Sequence, residues 1–217
     1  MTNLFKCKTL LLTPFIKVAI KHPDFMRSKV FLKVMVVFPA KISKSYDQKI
    51  SESGENYQAA LDQGLTRIFN EPLAILDLCT GTGFAAFKAA EAFPAAMVDA
   101  VDHVEEMIKI SRKKKEESRI KNIRFTVGNA VYLNYGDRTF DLIVTANAPV
   151  YLSEVVRVLR PKGLFLLVYS FGGDAFVNAQ KSMASYLKKN GIELLEIKSV
   201  GSGVYVLGQK QNKDKLL

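Results

Sequence analysis

Two cysteines in 217 residues, Cys7 and Cys79, are too few and too far apart for a disulfide framework. Neither has a second cysteine at metal-ligand spacing, so a structural zinc site is not expected and no metal is assigned. A reducing cytosol is the compartment that fits. Histidine is as scarce: His22 and His103 are the only two, which leaves little imidazole for general-base chemistry. No apolar run reaches the roughly 18 to 20 residues that a helix needs to span a bilayer. The start, "MTNLFKCKTLLLTPFIKVAIKHP", is basic and then apolar, but lysines interrupt it and no small-residue cleavage site follows. It therefore reads as part of the mature protein. No low-complexity tract appears either, which confines expected disorder to a tail over residues 211–217.

What remains is a chain that is 48% apolar, long enough for one substantial domain and short for two. Its net charge of +10 is unevenly placed: residues 1–45 hold nine Lys or Arg against one acid, Asp24. That segment is +8, and the other 172 residues hold only +2. On a helical wheel Leu4, Phe5, Leu11, Leu12, Phe15, Ile16 and Ala19 share one side, with Lys8 intruding among them, opposite Lys6, Thr9, Thr13, Lys17 and Lys21. Pro14 kinks this helix and His22-Pro23 ends it. Residues 1–52 thus form a basic amphipathic extension, with three readings: a lid over the core, a membrane-surface helix, or a nucleic-acid contact. The last is disfavoured because aromatics do not interleave with a broad basic stripe.

From about residue 53 the pattern becomes regular and runs to residue 210. A helix is expected over 56–70, then strands over 72–79, 96–101, 123–127, 140–146 and 164–170. Helices over 83–92, 105–119 and 152–159 alternate with them, the last stopping at "RPKG". A helix over 174–189 is closed by Asn190-Gly191, a C-terminal stop signal. Strands over 192–199 and 204–209 follow, joined by Gly201-Ser202-Gly203, a link so short that they must be antiparallel. The fold class is α/β: a Rossmann-like, seven-stranded, mostly parallel sheet with one reversed strand at its end. Helices cover both faces, and the helical extension precedes it.

In such a sheet ligands bind beyond the carboxyl ends of the strands, where strand order reverses. "ILDLCTGTGF" ends the first strand of the regular region, and Gly81 and Gly83 permit a tight turn and close backbone approach. Asp102 ends the second strand, about 20 residues on, the spacing of a carboxylate that accepts from both ribose hydroxyls. This pair says nucleoside cofactor without saying which. "GTGFAA" also matches the nicotinamide fingerprint, but Asp77 would face a pyrophosphate with a negative charge. The antiparallel hairpin and the want of a second domain also count against an NAD-dependent oxidoreductase. An acid at that place suits a ligand that brings positive charge and no phosphate.

These motifs make residues 73–210 similar to the class I S-adenosylmethionine-dependent methyltransferases, in particular the small-molecule branch with the ubiquinone/menaquinone C-methyltransferases. The resemblance rests on "ILDLCTGTG", "VDHVEEM", "FTVGNAVYL", "FDLIVTANAP" and "EVVRVLRPKGLFLLVYS". It implies that Asp77, Thr80, Gly81, Thr82 and Gly83 cradle the methionine end of S-adenosyl-L-methionine, with S-adenosyl-L-homocysteine as product. It puts Asp102 on the ribose, His103 and Met107 near the adenine, Asn129 and Ala130 along the adenine amino edge, and Asn147 beneath the methionine moiety. Tyr46 and Tyr151 fall on the acceptor side, with plain packing as the other reading of Tyr46. Asn129 stands where the family often has Asp, which turns a charged adenine contact into a neutral one. "NAPV" echoes the signature of amino-group methylating enzymes only faintly.

The expected reaction is in-line methyl transfer to a small, lipophilic acceptor, with proximity and orientation supplying much of the rate. No residue stands out as a catalytic base. Other readings are an RNA or protein methyltransferase and a non-catalytic cofactor-binding protein. The expected location is cytoplasmic, peripheral at the inner face of the membrane if the extension touches lipid. The sequence assigns neither the methyl acceptor nor the oligomeric state.

Overall fold

Strands such as "AILDL", apolar but for Asp77, cannot stand in water, and the amphipathic helices between them supply the cover they need. The protein's computed structural model describes residues 58–170 and 172–212. The extension over 1–52, Tyr46 and residues 213–217 lie outside the described residues. In chain order the elements are α1 (Ala59–Thr66), β1 (Ala74–Leu78), α2 (Phe84–Ala92), β2 (Met97–Asp102), α3 (Glu105–Glu117), β3 (Ile123–Val127) and β4 (Phe140–Ala146). Then come α4 (Leu152–Val158), β5 (Leu159–Tyr169), α5 (Gly173–Asn178), α6 (Gln180–Lys189), β6 (Ile192–Val200) and β7 (Gly203–Lys210).

The strands form one seven-stranded sheet in the order β3-β2-β1-β4-β5-β7-β6. β1 to β5 are parallel, and β7 alone runs against them, inserted between β5 and β6. The reversed strand is thus second from the edge, because the hairpin folds its later arm inward onto β5. Ile75, Leu142, Val144, Leu164 and Leu166 bury one face under α1 and α2. Leu76, Leu78, Ile143, Phe165 and Leu167 bury the other under α4, α5 and α6. Strand order reverses between β1 and β4, so the crevice for a ligand opens there.

Most expected elements are present, and three differ. The helix expected over 174–189 is broken at Ala179, whose backbone leaves the helical range (φ −91°, ψ 10°) and separates α5 from α6. β5 begins at Leu159 rather than 164, since Leu159 pairs with Phe140 before a register shift restores the ladder at Leu142. α1 is only eight residues long, because the Arg67 and Ile68 amides close back on Gly64 and Leu65. The Asn190-Gly191 stop is present, with Gly191 at φ +85° and its amide on the Lys188 carbonyl.

Small residues let α2 lie close to the sheet: Ala85, Ala86, Ala89 and Ala90 are all buried. At the outer edge, Arg112 and Lys115 of α3 donate to the Phe125 and Ile123 carbonyls, which among the described residues β3 presents to no further strand. A cavity of about 400 Å³ beside these residues is also lined by Met97, Lys121 and Arg124. Arg124 is itself paired with Asp99. No helix among the described residues is long and apolar enough to cross a membrane.

One polar knot fixes the connection between β3 and β4 onto α4. Arg157 donates to both oxygens of Glu154 (2.8 and 2.7 Å), to the Leu133 and Tyr135 carbonyls, and to Asp137. Glu154 in turn accepts from the Leu133 amide at 2.8 Å. The guanidinium holds the Glu154 carboxyl below the usual carboxylate range. Replacing Arg157 by Met leaves these acceptors without a donor in a half-buried site, and should cost about 2 kcal/mol. The expected result is a lower unfolding midpoint in urea, with Arg157→Lys recovering only part of it because an ammonium cannot fork.

Candidate functional site

At the carboxyl end of β1 the chain takes three left-handed residues in five: Cys79 (φ +60°), Gly81 (φ +55°) and Gly83 (φ +91°). Glycine takes that conformation at little cost, whereas Cys79 is strained by it. A side chain on Gly83 would also meet the Phe125 ring at 2.9 Å, so the start of α2 can lie against β3 only without one. At Gly81 the position a side chain would take is empty, with nothing within 4 Å. The turn is pinned by the Thr80 amide on the Val101 carbonyl (3.0 Å) and the Gly83 amide on the Thr80 carbonyl (2.9 Å).

Asp102 joins this turn to the next. Its Oδ2 accepts from the Gly81 amide at 2.8 Å and its Oδ1 from the Val104 amide at 2.9 Å. Each carboxylate oxygen accepts more than one hydrogen bond, so both keep capacity for a ligand hydroxyl. His103 places Nδ1 3.5 Å from Asp102 Oδ1 with its ring half exposed, while Met107 is buried one turn into α3.

Asp77 is in a different state. It is 1% exposed, and only Oδ2 is hydrogen-bonded, by the Thr80 hydroxyl at 2.5 Å. Oδ1 is buried with no partner. Burial pushes the Asp77 carboxyl up to about 7. The Thr80 hydroxyl and the Ala86 amide pull it down less strongly, the amide without closing a hydrogen bond on Oδ1, and Asp102 pushes it up further. A buried carboxylate held in this way lacks a cation. The expected turn residues therefore gather at one place, with Thr82 buried beside them.

The other expected residues are placed less simply. Asn129 and Ala130 follow β3, but Asn129 Oδ1 accepts from the Val131 amide (2.9 Å) in an Asx turn. Its amide oxygen is thus engaged locally, and Nδ2 is the group left to face a ligand. Asn147, at the end of β4 with φ +54°, gives Nδ2 to the Ser170 hydroxyl (2.9 Å) and takes the Ser170 amide on Oδ1 (2.8 Å). Its side chain braces β4 to β5. Tyr151 caps the start of α4 and is 5% exposed.

Two contributors escaped the sequence reading. Tyr169, at the end of β5, donates to the Ala148 carbonyl at 2.9 Å and stacks on Phe176 with centroids 5.0 Å apart. Ser170 completes the Asn147 brace. Both sit at the carboxyl end of a central strand, the same positional signal that singled out Asp77. Among the described residues, no group of three metal-ligating side chains forms.

Asp77 has a measurable consequence. Between about pH 4 and 7 the folded protein holds a proton here that the unfolded chain has released, so this group's contribution to stability falls as pH rises through that window. The ligand-free wild type should therefore lose more thermal stability between pH 5 and 8 than Asp77→Asn, which has no proton to lose. Parallel melting curves for the two proteins would contradict this.

Residues 75–163 match the family model described as "Methyltransferase domain". A demethylmenaquinone methyltransferase of Lactococcus lactis is 39% identical over 99 residues, covering 42% of this chain and 39% of that protein. One from Listeria welshimeri is 32% identical over 141 residues, covering 60% and 59%. The chain thus spans well under two thirds of the length of these relatives. The structure of a SAM-dependent methyltransferase from Aquifex aeolicus superposes with a TM-score of 0.61 at 20% identity, covering 75% of this chain and 97% of that one. Motif, fold and glycine-turn geometry agree in what this chain is similar to: methyltransferase domains built on a Rossmann-like sheet.

Proposed function

We propose that the protein is an S-adenosylmethionine-dependent methyltransferase acting on a small, lipophilic, quinone-like acceptor. The observation that carries this reading is the buried, unpartnered Oδ1 of Asp77 beside the Asp102 carboxylate. One acid lacks a cation, and the other keeps lone pairs for hydroxyls. The cofactor has a cationic amino group for the first and a ribose for the second, and Gly81 leaves its backbone open to contact. When bound, the cofactor supplies an activated methyl on a sulfonium. The residues here orient it: Asp77 and the Thr80–Gly83 turn at the methionine end, Asp102 at the ribose. His103, Met107, Asn129 and Ala130 border the adenine. The names of the relatives support a quinone-type acceptor.

Residues 1–52 are assigned as a cover over the open crevice, and their basic amphipathic pattern suits collection of the acceptor from an anionic membrane surface. A flotation assay with anionic vesicles should carry the full chain and leave a form lacking residues 1–45 behind. Equal partitioning would exclude the membrane contact.

Calorimetry should show binding of S-adenosylmethionine and none of NAD; silence with the former would sink the central reading. Because the cation selects ionised Asp77, affinity should rise about tenfold from pH 6 to 8 and level off above. Asp102→Ala should weaken binding at least tenfold, since it loses the ribose acceptor and the brace on Gly81 together.

A further inference from the structure

One basic stretch has no part in the cofactor end of the sheet. Residues 111–125, "SRKKKEESRIKNIRF", hold seven Lys or Arg against Glu116 and Glu117, a net +5 within the 172 residues that total only +2. Part of this charge is spread over the α3 surface in the ordinary way. Lys113 lies 4.0 Å from Glu117, and Lys114 reaches the Thr82 carbonyl at 3.3 Å. The rest is gathered. Arg112, Lys115, Lys121 and Arg124 all line the cavity of about 400 Å³ at the β3 edge, and no acid lines it with them.

The strand edge prepares this cavity for an anion. Within a strand the amide and carbonyl of one residue leave the backbone on the same side. The Ile123 and Phe125 carbonyls accept from Lys115 (2.5 Å) and Arg112 (2.9 Å), so the amides of both residues leave toward the same edge. No strand lies beyond β3 among the described residues. The two cations thus neutralise the carbonyl lone pairs that would repel an anion, and amide donors stand beside them.

The cations are not exhausted by these bonds. Arg112 uses Nε and Nη2 on the Phe125 carbonyl, and Arg124 uses the same two nitrogens on Asp99, which leaves Nη1 of each guanidinium. Lys115 spends one of its three N–H groups. Lys121 is exposed and has no partner among the described residues. Four cations against Asp99 alone leave the cavity at +3. Met97, 48% exposed, gives it one apolar wall.

We infer that the β3-edge cavity is a binding site for a phosphate group carried on an organic molecule. Two guanidiniums and two ammoniums suit an anion with several oxygens and more than one charge better than a lone carboxylate. The volume falls in the range of small-molecule sites, and Met97 meets the carbon part of the ligand. A soluble phosphate ester and a lipid head group present the same chemistry here. The cavity lies two strands away from β1, on the flank of the sheet, so this site is separate from the β1/β4 crevice and does not rest on the methyltransferase reading.

The test uses full-length wild type, Lys121→Glu, and Lys181→Glu, which makes the same charge change on exposed α6. Each is titrated with glycerol 3-phosphate by calorimetry, and each is floated with phosphatidylcholine vesicles containing phosphatidic acid. Lys121→Glu should bind about tenfold more weakly than wild type in at least one arm, while Lys181→Glu follows wild type. Loss in the titration alone identifies a soluble ligand, and loss in flotation identifies a lipid head group. Melting temperatures should agree among the three, because the Lys121 side chain has no partner to lose. Equal binding by the two variants in both arms would overturn the inference, since net charge would then account for what binds. Wild type that binds in neither arm, or a melting temperature lowered in Lys121→Glu alone, would overturn it as well.

Discussion

The carboxylate of Asp102 is the point on which the ligand end of this molecule is built. One oxygen holds the amide of Gly81 and the other the amide of Val104, so the turns after β1 and β2 are fixed to each other by a single side chain. Three left-handed residues in five make a turn that would not persist alone, particularly with Cys79 among them. Bonds from two backbone amides to one buried carboxylate are strong enough to hold it. The position of α2, and the direction its amides point, follow from that turn.

Two acids at one end of a sheet usually share their surroundings; here they do not. Asp102 is satisfied by backbone, whereas Asp77 is enclosed, has a single hydroxyl donor, and is driven toward its neutral form. This asymmetry gives the site its direction. A positively charged group suits Asp77, and hydroxyl donors suit Asp102.

Much of this was legible in the sequence, for a physical reason. Strands buried on both faces are written as near-continuous apolar runs, and β4 falls where that pattern places it, while edge strand β3 alternates in burial and also falls at its expected residues. The glycine turn and Asp102 were readable because backbone geometry demands particular residues there. What was not readable depends on partners distant in the chain. Nothing local to Asn147 says that Ser170 takes both ends of its amide, or that Asn129 turns its oxygen back on Val131. The break at Ala179 is equally silent, since its neighbours "VNAQKS" suit one continuous helix. The sequence assigns Asp77 and Asp102 different expected partners, but it does not show that Asp77 Oδ1 lacks a donor while both Asp102 oxygens have one.

The Arg112 and Lys115 contacts on β3 bear on how copies of this chain can meet. A sheet grows by offering bare carbonyls and amides to a new strand, and on this side two of those carbonyls are already spoken for by cations. An incoming strand would have to displace a guanidinium and an ammonium, and leave both cations without these acceptors. Among the described residues, strand addition is therefore less favoured at β3 than at the β6 margin, which lies at the other edge of the sheet from the Asp102 turn.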